Sequence, residues 1–323
     1  MGQIINAAPD GSLRPVLQRV GPAELAARLE AHAAWLQALA LPEMPDPLNP
    51  ANFRGLDLRG ADLAGADLSH ANLGRCMLNG ADLTGAVLRS ANLFRTALAG
   101  ARLQGANLRK ALLIHADLEK ADLTGANLEK ANLEEANLRK ALLIDADLRG
   151  ANLEGALFEK ATMDGALLAK TSLIAAGFDR ASLAGADLHA ADLTRAVLRR
   201  AELRGADLRE ASLRQTRIYQ ARLDGCDLRG AALQRANCVD TSLRGADLRG
   251  ARLEHAELSM TDLEEARLDG VVFSQTGLHD ANFRNAQLAG ADFRGADLRR
   301  ARNLSREQIA EALTDERTRL PLF

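Results

Sequence analysis

From residue 51 to residue 300 the chain repeats every five residues, without an insertion or deletion. The unit reads Ala-(Asp/Asn)-Leu-x-x. Stepping by five from Phe53 to Leu298 visits 50 positions, and every one is apolar. Forty-one are Leu; the others are Phe53, Phe158, Phe178, Phe273, Phe283, Phe293, Met163, Ile218 and Cys238. Two residues before each stands a small side chain, Ala in 40 of the 50 and otherwise mostly Thr or Cys. A strict short period decides architecture before any other consideration. It also leaves few side chains free for chemistry.

A period of five suits neither a helix, whose faces recur every 3.6 residues, nor a flat strand, whose faces alternate every two. On a straight α-helix a five-residue step rotates by about 140° and would scatter the leucines around the axis. The chain must therefore turn once per unit. Gly ends 20 of the 50 units, and Gly tolerates the dihedrals that a corner needs. Within a unit the first and third residues point the same way, as in a short extended piece. Ala and Leu face inward; Asp/Asn and the last two residues face outward. Short extended pieces joined by corners make a solenoid whose coils bond to one another at about 4.8 Å. All eight prolines lie outside residues 51–300, as coils with neighbours above and below require.

Runs such as Ala61-Asp62-Leu63-Ala64-Gly65 and Ala121-Asp122-Leu123-Thr124-Gly125 resemble the pentapeptide-repeat family, and the resemblance covers about three quarters of the chain. It implies an all-β fold, a right-handed quadrilateral β-helix with four pentapeptides in each 20-residue coil. The pairs Phe158/Phe178 and Phe273/Phe293, each 20 apart, agree with that coil length. On this reading the repeats make about 12 coils, a rod of roughly 60 Å.

The ends read as short helical caps, which an open solenoid needs against edge-to-edge pairing. Residues 1–50 form the N-terminal cap, 51–300 the β-helix and 301–323 a C-terminal capping helix and tail. Gly21-Pro22 opens a helix with Leu25, Leu29, His32, Leu36 and Leu39 on one stripe and Trp35 beside it. Pro42 ends it, and Pro42–Pro50 leads into the first coil. Upstream, Pro9-Asp10-Gly11 is a turn signal between two short strands. At the other end Ser305 and Gln308 have capping-box spacing, followed by Ile309, Ala310 and Leu313. No apolar run reaches membrane-span length and no signal-peptide pattern opens the chain, so a cytoplasmic protein is expected. Cys76, Cys226 and Cys238 all occupy inward positions, as small core residues in a reducing compartment.

No catalytic, cofactor or metal site is expected. The histidines never fall 20 apart, there is no CxxC, and the glycines keep corner spacing instead of forming a phosphate loop. The Asp residues before Leu are regular outward positions, suited to side-chain-to-backbone bonding.

Some members of the family look like duplex DNA and inhibit or protect DNA gyrase with a rod of negative charge. Here the four sides, in registers starting at residues 51, 56, 61 and 66, carry net charges of +2, +2, −5 and +1. A DNA mimic of this length would want roughly 35 negative charges.

Lys120, Lys140, Lys160, Arg180 and Arg200, each 20 apart, should stack as a basic edge. Glu119, Glu159 and Asp179 precede three of them and suggest pairing within the repeat. With almost no aromatic interleaving, nucleic acid is an unlikely ligand. Exposed apolar residues are the better clue. Phe94 and Ile114, 20 apart, with Leu112 beside them, form one candidate patch. Tyr219 and Val239 form a second, and Leu142 and Ile144 a third spot. The expectation is a non-enzymatic scaffold or interaction rod binding a protein partner or a second copy. The alternative is a DNA mimic that binds gyrase or topoisomerase and gives tolerance to gyrase poisons.

Overall fold

In the computed structural model, residues 5–7, 13–15, 18–39 and 52–322 are described. From residue 52 onward the second residue of each repeat pairs, parallel, with the residue 20 further on: Asn52 with Asn72, Asn72 with Asn92, and so on to Asn282 with Arg302. One coil is therefore four repeats. Each inter-coil contact is a single bridge, since the chain turns again before a longer strand can form.

Every fifth residue from Gly55 to Gly295 has a φ between 53° and 72°. It follows a residue of ordinary φ in a turn closed by a bond from the next Ala N–H to the Leu carbonyl, as from Ala131 to Leu128 at 2.9 Å. A positive φ at the third turn residue marks a type II turn, where Gly is the natural choice. Most of these corners nonetheless carry a side chain, Lys, Arg, Glu and His among them. Such residues sit there at a cost of about 1–2 kcal/mol each, held by the coils on either side.

The unit Ala126-Asn127-Leu128-Glu129-Lys130 shows why proline is excluded. Ala126 N–H bonds to Leu123 O, Asn127 to Ala106 O one coil back, Leu128 to Asp147 O and Lys130 to Arg149 O one coil on. The remaining donor, Glu129 N–H, goes to the Asn127 side-chain oxygen at 2.9 Å. All five donors are engaged, so the preference for Asp or Asn before Leu is a backbone requirement.

The interior is a column of Leu and Ala, almost all with no more than 1% exposure between Ala71 and Leu298. The expected aromatic ladders are present. The Phe158 and Phe178 rings stack at 4.8 Å, and those of Phe273 and Phe293 at 4.7 Å. Where Thr or Cys replaces Ala, the polar atom finds a carbonyl: Thr96 Oγ1 donates to Leu73 O and Cys76 Sγ to Phe53 O.

At the N-terminal end, β1 (Ile5–Ala7) pairs antiparallel with β2 (Leu13–Pro15), on either side of the turn signal, whose residues lie outside the described set. β3 (Gln18–Arg19) pairs parallel with β4 (Leu56–Asp57) of the first coil and so occupies its open edge. The helix α1 (Pro22–Leu39) follows. Its Leu25 joins the core cluster, while His32 is buried with its ring stacked on Trp35 at 5.7 Å. The proline-rich lead-in lies outside the described residues. No described helix is long and apolar enough to cross a membrane.

The C-terminal end departs from expectation in one respect. The Ser305–Gln308 capping box forms, but α2 (Arg306–Ala310) is a helix of only five residues. Leu313 lies beyond it and returns to the ladder, bridging Asp292; Arg319 bridges Asp297. The backbone donors of the last coil compete for the same residues that a longer helix would use. Gln308 Nε2 meanwhile donates to the carbonyls of Phe283 and Ala286.

Candidate interaction surfaces

Three outward positions per repeat make up the surface, and each has its own chemistry. The second residue is half-buried beside the ladder, the fourth begins the corner, and the fifth is the exposed left-handed residue. Where the second is Asp and the fourth Arg, the pair closes on itself. Arg209 meets Asp207 at 2.6 Å, Arg229 meets Asp227 at 2.6 Å, and Arg249 meets Asp247 at 2.7 Å. The guanidinium bond holds each of these carboxyls below the usual Asp range, against a smaller opposing effect of burial. At Asp297 the same contact, from Arg299, brings the value to about 2.

The basic edge is real as geometry. Lys120, Lys140, Lys160, Arg180 and Arg200 are all exposed, and all are left-handed corner residues. Its charge pairing differs from expectation. Glu119 pairs with Lys140, Glu159 with Arg139 and Asp179 with Arg199, each across coils instead of within a repeat. A left-handed corner points its side chain away from the residue before it, so a neighbouring coil offers the nearer charge. Lys130 with Glu129 is an exception, at 3.4 Å. Arg200 donates to Gln220 at 2.9 Å.

The five apolar candidates separate into two places. Phe94, Leu112 and Ile114 share one side on consecutive coils, tied by bonds from Leu93 N to Leu112 O (2.7 Å) and from Arg95 N to Ile114 O (3.0 Å). Leu112 is 45% exposed. It breaks a polar ladder: Asn92 donates to Asn72 below it, and Asn152 to Asn132 above it. Phe94 is half-buried, with Arg95 5.1 Å over its ring and His115 edge-on at 6.0 Å. Tyr219 and Val239 stack on a different edge and several coils away, through Gln220 N to Val239 O at 3.0 Å. Met260, 50% exposed, extends that second spot. Sequence reading passed over it because it occupies a corner position otherwise filled by Gly, Ala, polar or charged residues. Leu142, the third spot, is 39% exposed.

The pattern of unsatisfied charge was also missed. Arg54, Arg75, Arg95, Glu134 and Glu154 form no ion pair among the described residues, whereas most arginines further along do. For Arg54 the signal was available: Asn52, not Asp, stands two residues back, so no carboxylate is offered within the repeat.

The interior holds no reactive group. The three thiols are free and buried, and burial pushes Cys76 up to about 11 and Cys226 and Cys238 up to about 12. Among the described residues no group of three His, Cys, Asp or Glu could hold a metal ion.

The family model for pentapeptide repeats (8 copies) matches in ten segments, the first at residues 51–89 and the last at 266–306. The chain belongs to the pentapeptide-repeat family. Its fold is accordingly the right-handed β-helix of that family. Among solved pentapeptide-repeat structures, HetL of the cyanobacterium Nostoc sp. strain PCC 7120, a protein involved in heterocyst differentiation regulation, is similar. It is 34% identical with a TM-score of 0.54, over 61% of this chain and 89% of HetL. Full-length QnrB1, a plasmid-mediated fluoroquinolone resistance protein, is 20% identical with a TM-score of 0.32, over 48% of this chain and 85% of QnrB1. No curated protein matches the sequence significantly.

Proposed function

We propose that this pentapeptide-repeat protein is a non-enzymatic interaction rod. About twelve coils, closed at one end by β3 and α1 and at the other by α2 and the bridging tail, give a stiff body roughly 60 Å long. The edge carrying Phe94, Leu112 and Ile114 is its docking surface for protein. One observation carries this reading: an exposed leucine interrupts an asparagine ladder between charges that form no ion pair among the described residues. Apolar contact ringed by charge is the composition of a protein interface. The free buried thiols suit a reducing compartment, and we place the protein in the cytoplasm.

Changing Phe94 and Ile114 together to Ser should leave circular dichroism and melting nearly intact, since neither faces the core. It should remove the protein–protein association of the wild-type rod. Unchanged association in a folded double variant would refute the assignment and make the basic edge from Lys120 to Arg200 the next candidate.

Gyrase binding by DNA mimicry is the competing function for a rod of this family. It needs carboxylates that face outward unneutralised. Here Asp207, Asp227, Asp247, Asp292 and Asp297 each carry their own guanidinium, and the carboxylates without an ion pair among the described residues, such as Asp62 and Asp122, are interspersed with basic residues instead of forming a continuous acidic ridge.

A further inference from the structure

Unpaired charge on the Phe94 edge is arranged by sign. Arg54 and Arg75 lie on the coils before the apolar spot and Arg95 beside Phe94 within it, and Glu134, Glu135 and Glu154 lie on the coils after it. Glu135 touches only His115, at 3.2 Å, an ion pair only when that ring is protonated. The coils are in strict 20-residue register. A two-fold axis perpendicular to the rod, midway between the coils of Phe94 and Ile114, therefore exchanges equivalent corner positions. It sets Phe94 against Ile114 of a second copy, Arg75 against Glu135, and Arg54 against Glu154. Each contact occurs twice, as an isologous interface demands. Gly74, without a side chain, comes opposite Glu134 and leaves it room. Arg95 comes opposite His115, a crossing that, like Gly74 with Glu134, has no complementary charge. The far margin of the same side carries Arg89, Arg109 and Lys110, with Glu129, paired to Arg109 at 3.2 Å, and Lys130 on the next coil. Like charges would meet there, so the two rods approach most closely at the Phe94 margin.

We infer that this edge binds a second copy of the chain, forming a side-by-side antiparallel homodimer through the Phe94–Ile114 contact and the Arg54/Arg75–Glu154/Glu135 pairs. This rests on the reading of the edge as an interaction surface and names its occupant. Six coils give a contact about 29 Å long. With a width of about 20 Å this buries roughly 1,200 Å² in total, the low end for specific complexes. An interface of this size is expected to be reversible, so association is sought over micromolar concentrations.

The test is light scattering of the full chain from 1 to 100 µM, looking for a mass that rises towards twice 34.6 kDa. Arg75→Glu and Glu135→Arg should each weaken association at least tenfold, and the variant carrying both should regain it to within a few-fold. Arg54→Cys combined with Glu154→Cys should cross-link to a covalent dimer on mild oxidation, while each single cysteine stays monomeric. In one chain those positions are five coils, about 24 Å, apart, too far for an internal disulfide. The native thiols are buried. A wild type that stays monomeric at 100 µM overturns the dimer. So does a double charge variant no better than the singles, or a single cysteine that cross-links with itself. If the wild type is monomeric but Phe94→Ser/Ile114→Ser abolishes binding of another protein, only the dimer falls and the docking edge stands. If that variant changes nothing, both fall.

Discussion

Two stretches of this rod share one backbone and one core yet treat charge in opposite ways. Along the side containing Asp207, Asp227 and Asp247, each carboxylate grips the Arg two residues on. That Arg also leans towards the next coil, as Arg209 does to Asp227 at 3.7 Å and Arg229 to Asp247 at 4.0 Å. Arg267 joins the same lattice through Asp247 at 3.6 Å. Along the Phe94 edge, Arg54, Arg75, Glu134 and Glu154 have no such partners. Part of the difference lies in the second repeat position. Asp before Leu satisfies both a backbone donor and the arginine two residues on; Asn satisfies the backbone donor alone, so an arginine there pairs with another coil, as Arg109 does with Glu129 and Arg139 with Glu159, or goes unpaired, as Arg54 does. The solenoid tolerates either, because its stability comes from the column inside. A surface left unsatisfied is therefore open to selection for something outside the chain.

If the difference is confined to the surface, the interior should respond identically in both stretches. Leu128→Arg and Leu228→Arg each drive a charge into a core one side chain wide, among residues with no exposure. Both should lose several kcal/mol, more than about 4, and melt far below wild type. Urea denaturation compares them directly, and a large disparity would show that the ion-pair lattice stiffens its own part of the core.

On the surface the expected losses are smaller and unequal. Asp227→Ala removes a bond to Arg229 N–H (3.2 Å) together with the guanidinium contact, and should cost about 1 kcal/mol. Glu154→Ala should leave stability within about 0.5 kcal/mol while weakening self-association. Equal destabilisation by the two would erase the distinction between a satisfied and an unsatisfied surface.

Acid should act mainly on the paired stretch. Asp207, Asp227 and Asp247 have folded values depressed below 3.8, and Asp297 lies at about 2. A depressed folded value contributes stability that is present above the unfolded value and is lost as pH falls through the folded one. Melting temperature should hold above about pH 4 and decline towards pH 2. Replacing Asp207, Asp227 and Asp247 with Asn should make the decline shallower. A wild-type profile as flat as the variant's would mean the lattice contributes nothing.

Much of the fold was legible because the period is exact at every inward position. Leu, Ala and corner Gly place the backbone; the coil length came from the family resemblance, with which the Phe pairs agree. The tail after Ala310 was less legible, since its spacing slips to 21 and 22 residues and no five-residue pattern marks Leu313 or Arg319 as ladder members. Residue identity showed where charges such as Glu119 and Asp179 lie but not which way a left-handed corner aims them; their partners across coils needed the three-dimensional stack. Phe94, Leu112 and Ile114 stood out as apolar outward residues. What gives them meaning, the sign order of the charges on either side, appears only when the chain is folded onto its 20-residue register.

The smallest effect expected is none, and it bears on the competing function. Gyrase supercoiling should be unaffected at micromolar protein. Duplex DNA presents about one charge per 1.7 Å, all of one sign. This rod's most acidic side totals −5, and its acidic groups include Asp262 and Glu264, both bonded to Arg244 at 3.2 and 2.6 Å. Paired carboxylates at a surface produce a field that cancels within a Debye length, about 8 Å at physiological salt, so an enzyme that binds DNA would meet no sustained negative ridge. Asp227→Ala moves the comparison further: it unmasks Arg209 and Arg229 and makes the paired stretch more basic, which should leave gyrase equally indifferent. Inhibition that weakens steeply with added salt would show that local charge order outweighs these totals. Loss of that inhibition on reversing Glu134 and Glu154, but not on reversing Asp207 and Asp227, would assign it to the Phe94 edge, where neither glutamate has an ion-pair partner among the described residues, whereas Asp207 and Asp227 are each held by an arginine.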